Sequence, residues 1–241
     1  MKKLDRSWVD HSLEHLSVGE LEITGRLVDA SNATLFGLMH HKGSTLEVIY
    51  KPVAGERPLW DFPDGSLADR EFAAFLLSDK TGFDLVPPTI LREGPAGFGM
   101  VQRWIDIDEN IELGNYFAQD LQELRSLALF DAIINNTDRK IGHLLPDQQG
   151  HLFACDHGVT FHVEDKLRTV LWQWAGDTLT DAEFTMLDTA EKYVESNHAA
   201  LSPHLTDQEI AATLDRIHKI SSETKMPRPS EDWPAIPWPA Y

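Results

Sequence analysis

The chain has one cysteine, Cys155, so no internal disulfide holds it together, and the composition fits a reducing, cytoplasmic setting. No apolar run approaches the length needed to cross a bilayer. The first residues, Met1 to Arg6, are basic but lead into no apolar segment, so a secretory signal is not expected. Cations are scarce: 21 Lys and Arg stand against 39 Asp and Glu, a formal net charge of -18 at pH 7. A surface of that sign disfavours DNA or RNA as a partner and an anionic membrane as a resting place, because both are bound through Lys and Arg. There is no internal repeat and no Walker-type or glycine-rich phosphate loop. What is present is apolar content, 42% of 241 residues, enough for a sizeable core in one large domain or a compact two-lobed unit.

Residues 17 to 54 read as an antiparallel meander. Val18 to Ile23, Ala33 to Met39 and Leu46 to Pro52 are apolar or alternating runs, separated by the turn signals Asp29-Ala30-Ser31-Asn32 and His41-Lys42-Gly43-Ser44. A polar stretch follows, and Ser66-Leu67-Ala68-Asp69 gives a capped start to a helix. Strand character returns over 86–106. From about 114 the chain turns helical, with Leu121, Leu124, Leu127, Ala128 and Ile134 at helical spacing up to Asn135-Asn136. Two later helices open with full capping boxes, Thr180 with Glu183 and Thr206 with Glu209. The tail from Met226 is rich in proline and carries Trp233 and Trp238, which either dock it or leave it extended and free. This order predicts an α+β, bilobal molecule: a strand-rich lobe with one helix over 1–106, a helical lobe over 107–225, and a tail over 226–241.

Two loops carry candidate chemistry. Asn135-Asn136-Thr137-Asp138-Arg139-Lys140 follows a buried helix, and Asp156-His157-Gly158 follows the short buried run Leu152 to Cys155. Asp138 is placed to accept a proton from an attacking hydroxyl, with Arg139 or Lys140 stabilising charge. Asp156, at a strand end before a glycine, suits a divalent ion with oxygen ligands, and His143 is a second candidate ligand. Each loop alone also fits an ordinary turn. Lys51 ends an apolar strand and reads either as a phosphate contact or as a lysine snorkelling to water. Glu71, twenty residues on in the capped helix, is its candidate ion-pair partner. Ser31 and Asn32 sit in a turn able to cap phosphates. Trp172 and Trp174 read as packing anchors, and Lys166 and Arg168 as residues near an acceptor.

With these motifs the sequence resembles the atypical kinases related to phosphatidylinositol 3-/4-kinases and HipA, and more closely an actinobacterial phosphatidylinositol kinase-like family. The resemblance runs from about Glu20 to Gly176. It rests on Val48-Ile49-Tyr50-Lys51-Pro52, Arg70-Glu71, Gly99-Met100-Val101-Gln102, Asn136-Thr137-Asp138-Arg139 and Asp156-His157-Gly158. It implies a protein-kinase-like bilobal fold and a kinase using ATP with Mg²⁺ or Mn²⁺. It also implies Lys51 on the phosphates, Glu71 as its partner, and Met100, Gln102 and Trp104 around the adenine. Asp138 becomes the catalytic-loop aspartate and Asp156 the metal aspartate. Lys140 replaces a family histidine, His143 an asparagine, and His157 the phenylalanine of Asp-Phe-Gly. Imidazole at 143 suits Mn²⁺ better than Mg²⁺. The acceptor expected is a protein or a soluble small molecule. Two alternatives follow from the same residues. One is a nucleotide-binding, pseudokinase-like regulator. The other is a metal-dependent phosphoesterase built from Asp138, His143, Asp156, His157 and His162.

Overall fold

The computed structural model describes residues 4–27 and 33–241. Its first element is a helix where the sequence reading names none, α1 (Arg6–Val18). Asp5 caps it by accepting the Ser7 N–H. Its buried face is Val9, Ser12, His15 and Leu16. Two of those four are polar, which dilutes the apolar stripe that marks a helix in sequence. Ser12 satisfies itself on the Trp8 carbonyl, and His15 bonds to the His11 carbonyl and to Ser44.

Five antiparallel strands follow: β1 (Glu20–Arg26), β2 (Leu35–His41), β3 (Ser44–Pro52), β4 (Thr89–Gly94) and β5 (Gly97–Arg103). Their order in the sheet is β1-β2-β3-β5-β4. Alternation sends Leu46, Val48 and Tyr50 of β3 to one face, where they pack with Leu16, Met39 and Val101. The same period sends Lys51 to the other face, opposite Met100 of β5. Between β3 and β4 lies α2 (Leu67–Thr81). The expected Ser66 cap is not made: the Ser66 hydroxyl donates to the Pro63 carbonyl. The Glu56 carboxylate takes the Leu67 and Ala68 N–H groups instead, at 3.2 and 2.9 Å. A carboxylate on those orphan donors also matches the positive end of the helix dipole.

The second half is mainly helical: α3 (Leu113–Tyr116), α4 (Gln122–Ile133), α5 (Asp181–Ser196), α6 (His198–Leu201) and α7 (Asp207–Glu223). Both expected capping boxes form, at Thr180 and Thr206. A small hairpin, β6 (Leu144–Pro146) with β7 (Leu152–Ala154), separates α4 from α5. One large cluster unites α4, α5, α7 and the inner face of α2, including Phe75, Leu77, Leu124, Phe130, Leu187 and Ile217. Fully burying each such side chain is worth about 1.5–3 kcal/mol. Helix α2 therefore packs with the helical half while its Glu71 faces the sheet, and that double attachment sets the cleft. The tail is docked: the Ala235 carbonyl accepts from Thr169 N–H and the Trp172 indole, and the Ala240 carbonyl from Ile141 N–H.

Candidate active site

Helix α4 ends at Ile133, and Asn135 takes a left-handed φ of 53° that reverses the chain. The asparagines are fasteners as well as turn formers. Asn135 donates to the His162 and Glu164 carbonyls and accepts from Lys166 N–H. Asn136 donates from Nδ2 to Asp131 and accepts the Asp138 N–H on Oδ1, each at 2.9 Å. Thr137 is tied through its N–H and hydroxyl to the Val159 carbonyl. Asp138 thus emerges from a buried, hydrogen-bonded loop with its side chain 28% exposed.

Arg139 does not share that exposure. Its side chain is 0% exposed and forms a two-pronged pair with Asp131, Nε to Oδ2 at 2.8 Å and Nη2 to Oδ1 at 3.0 Å. It also donates to the Cys155 carbonyl and to His157 Nε2. The expected role of Arg139 in charge stabilisation is therefore corrected: the guanidinium faces away from the cleft and bolts one functional loop to the other. Burial, reinforced by that neighbouring guanidinium, pushes the His157 pKa well below its ordinary value. A neutral imidazole thus stands in the position that the resemblance fills with phenylalanine.

Asp156 follows β7 in a left-handed conformation, φ 63°, which turns its carboxylate toward the sheet. Lys51 Nζ lies 2.6 Å from Glu71 Oε1 and 3.0 Å from Asp156 Oδ1. The other Glu71 oxygen accepts the His157 N–H at 2.9 Å. Glu71 thus holds both the ammonium and the backbone of the Asp156 loop. Gly158 permits this approach, since a Cβ there would stand 3.3 Å from the Leu67 side chain. Burial opposes the Lys51 charge, but Asp156 and Glu71 more than offset it, and its pKa rises. The Lys51 charge in turn holds Asp156 well below the usual carboxylate range, against burial.

Around Asp156 sit Asp138 and His143, and the ligand atoms of the three all lie within 4.8 Å of one another. His143 Nε2 is 3.4 Å from Asp156 Oδ2, and burial pushes its pKa down to about 4, so the ring is neutral at pH 7. Two carboxylates and a neutral imidazole at this spacing fit Mn²⁺ or Mg²⁺. Desolvation raises the Asp138 pKa, countered by Lys140 at 3.1 Å. Lys51, Glu71, Asp138, Lys140 and Asp156 all line one cavity of about 600 Å³.

Other candidates are not brought there. Met100 and Gln102 are buried, and Gln102 donates to Thr89. Trp104 stands edge-on to Phe36 and lines a different cavity, with Trp8. Ser31 and Asn32 lie outside the described residues. The five-residue phosphoesterase cluster does not assemble, because His157 is engaged by Arg139, and His162 lies against Phe62 and Lys166. Sequence reading missed two residues that shape the site, Asp131 and Glu56. Asp131 carried a signal: a carboxylate inside the apolar run Leu127 to Ile134, eight residues before an arginine.

No family model matches the chain. It is 39% identical, over 263 aligned positions covering 94% of each sequence, to Protein Rv2133c of Mycobacterium tuberculosis (strain ATCC 25618 / H37Rv). A shorter match, 29% identity over 129 residues, joins 46% of this chain to 22% of phosphatidylinositol 4-kinase gamma 4 of Oryza sativa subsp. japonica. Among solved structures, the Golgi casein kinase with Mn/ADP bound superposes with a TM-score of 0.60 at 16% identity, over 92% of this chain and 76% of that one. That likeness establishes a kinase-like fold: an antiparallel-sheet half joined to a helical half.

Proposed function

This chain belongs to the family of Mycobacterium tuberculosis Protein Rv2133c, and from its kinase-like fold and the charge arrangement of its cleft we propose that it is an ATP- and divalent-metal-dependent phosphotransferase. One observation carries the reading. A lysine from the sheet is held by two carboxylates from separate elements, α2 and the loop after β7, in a cavity that a third carboxylate, Asp138, also lines. A lysine aimed in this way neutralises phosphate oxygens, and Glu71 fixes its direction. Asp156 and His143 would hold Mn²⁺ or Mg²⁺, with Asp138 in the same cluster, its ligand atom within 4.8 Å of theirs. The bound ion supplies charge neutralisation and orientation of the phosphates. Asp138 accepts the proton of the attacking hydroxyl, whose oxygen bonds to the terminal phosphorus as the bond to the ADP oxygen breaks. Lys140 offsets negative charge beside it. The Mn/ADP complex of the structurally similar Golgi casein kinase supports this choice of ligands.

The test is ADP release from ATP with Mn²⁺ or Mg²⁺, comparing wild type with Asp138→Asn. Loss of roughly 100-fold or more in the folded variant supports the assignment. Nucleotide-dependent stabilisation without turnover in the wild type points to the regulator instead. An absence of any nucleotide effect overturns both.

A further inference from the structure

The cavity that holds the charged cluster extends past it to a rim of indoles. Trp60, between β3 and α2, is 85% exposed, and Trp238, in the tail, is 93% exposed; both line this cavity. Large exposed aromatic surface beside a charged site marks a binding surface. Both rings sit on a fixed frame. Trp60 stacks over the Lys166 ammonium at 4.8 Å, and Trp233 covers the same ammonium at 5.2 Å. Lys166 is buried and tied to Asp61 at 3.0 Å and Glu164 at 3.2 Å. The backbone on either side of Trp238 is pinned, through the Ala235 carbonyl to Thr169 and Trp172 and through the Ala240 carbonyl to Ile141. Ile141 lies two residues before His143, so the tail is fastened to the segment that carries a candidate metal ligand.

The charges of the lining are already engaged. Lys51 is paired with Glu71 and Asp156, and Lys140 with Asp138. Arg168 donates to the Thr137 carbonyl and lies over Trp233, and Arg57 has its own partner. On the acidic side, Glu56 caps α2 and Asp61 holds Lys166. A charged acceptor group would have to displace one of these partners, and a net charge of -18 repels polyanions at longer range.

We propose that Trp60 and Trp238 form the acceptor subsite, and that the acceptor is a neutral, polyhydroxylated ring, a sugar or cyclitol, stacked on indole with one hydroxyl at Asp138. This rests on the phosphotransferase reading. An indole face accepts the C–H face of such a ring, while the ring hydroxyls remain free for the polar floor. The step is the one written above: the ring oxygen gains the phosphorus, its proton goes to Asp138, and ADP leaves.

The probes are glucose, maltose and myo-inositol, with glucosamine, inositol phosphate and a tyrosine peptide as contrasts. Two readouts are taken: saturation-transfer NMR of each compound with the metal-free full chain, and acceptor-stimulated ADP release with Mn·ATP. A neutral ring should receive saturation from the protein and stimulate release. Trp238→Ala and Trp60→Ala should each raise its KM roughly 10- to 100-fold, the scale of removing one ring stack, with the nucleotide KM moved less than about twofold. Trp238→Phe should recover most of the affinity. Preference for the anionic, cationic or peptide probe overturns the proposal, as does an unchanged acceptor KM in both alanine variants. If no turnover occurs, the phosphotransferase reading falls. The subsite is then judged by NMR alone: a neutral-ring signal that disappears in the alanine variants supports it, and the absence of a signal from every neutral ring, or one unchanged in both variants, overturns it.

Discussion

Replacing Asp131 by alanine tests the claim that the two functional loops are bolted by a buried ion pair. Both side chains of the Asp131–Arg139 pair are 0% exposed. Removing the carboxylate leaves a guanidinium in the protein interior with only the Cys155 carbonyl and the His157 ring as partners. Breaking a buried pair in this way costs about 3–5 kcal/mol. For a chain of this size each kcal/mol moves Tm by about 2–4 °C, so the midpoint should fall by roughly 6–20 °C. Chemical denaturation with tryptophan fluorescence gives the free energy directly. The double variant Asp131→Leu with Arg139→Met removes both charges and should regain most of the stability. It should not regain turnover, because Asn136 loses its anchor on Asp131 and no longer fixes Asp138. A single-variant loss below about 1 kcal/mol would contradict the bolt. Full stability in Arg139→Met together with abolished turnover would return that arginine to the chemistry.

Three further outcomes follow from the site and its supports. Glu56→Ala removes the cap of α2 and should cost about 1 kcal/mol, with weaker nucleotide binding because α2 carries Glu71; denaturation and calorimetry report the two effects. His143 and His157 are neutral in the fold but protonate near pH 6.5 when unfolded, so the unfolded chain takes up more protons as pH falls. Stability of the metal-free protein should therefore drop between about pH 6.5 and 4, by roughly 3 kcal/mol for His143 alone, and denaturant midpoints against pH measure it. Burial pushes the Cys155 thiol up to about 12, so its alkylation by iodoacetamide at pH 8, followed by mass spectrometry, should run at least about a hundredfold slower than that of a free cysteine.

Much of this arrangement was legible in local pattern. Alternation placed Lys51 at a strand end, a turn-rich stretch and an apolar helical face placed Glu71, and two loops after buried segments placed Asp138 and Asp156. The structure sets all four side chains along one cavity. What was not legible depends on neighbours distant in sequence. Helix α1 hides half of its buried face in Ser12 and His15, whose partners settle them inside. Glu56 caps a helix from eleven residues away, and Arg139 looks like a surface cation until Asp131 is seen beside it. Trp238 acquires meaning only once the tail is laid over the segment at 141 and the strip at 169. Fold class follows from periodicity, whereas the role of a charged residue follows from which partner reaches it.

In the proposed function, Lys51, Glu71, Asp138 and Asp156 enclose a metal-bound triphosphate. Electron paramagnetic resonance of free Mn²⁺, titrated with protein in the presence of a non-hydrolysable ATP analogue, tests it most directly. The free-ion signal should fall saturably with the wild type, and binding should weaken by roughly 10-fold or more in both Asp156→Asn and Lys51→Met. Equal Mn²⁺–nucleotide binding by the wild type and both variants would contradict it.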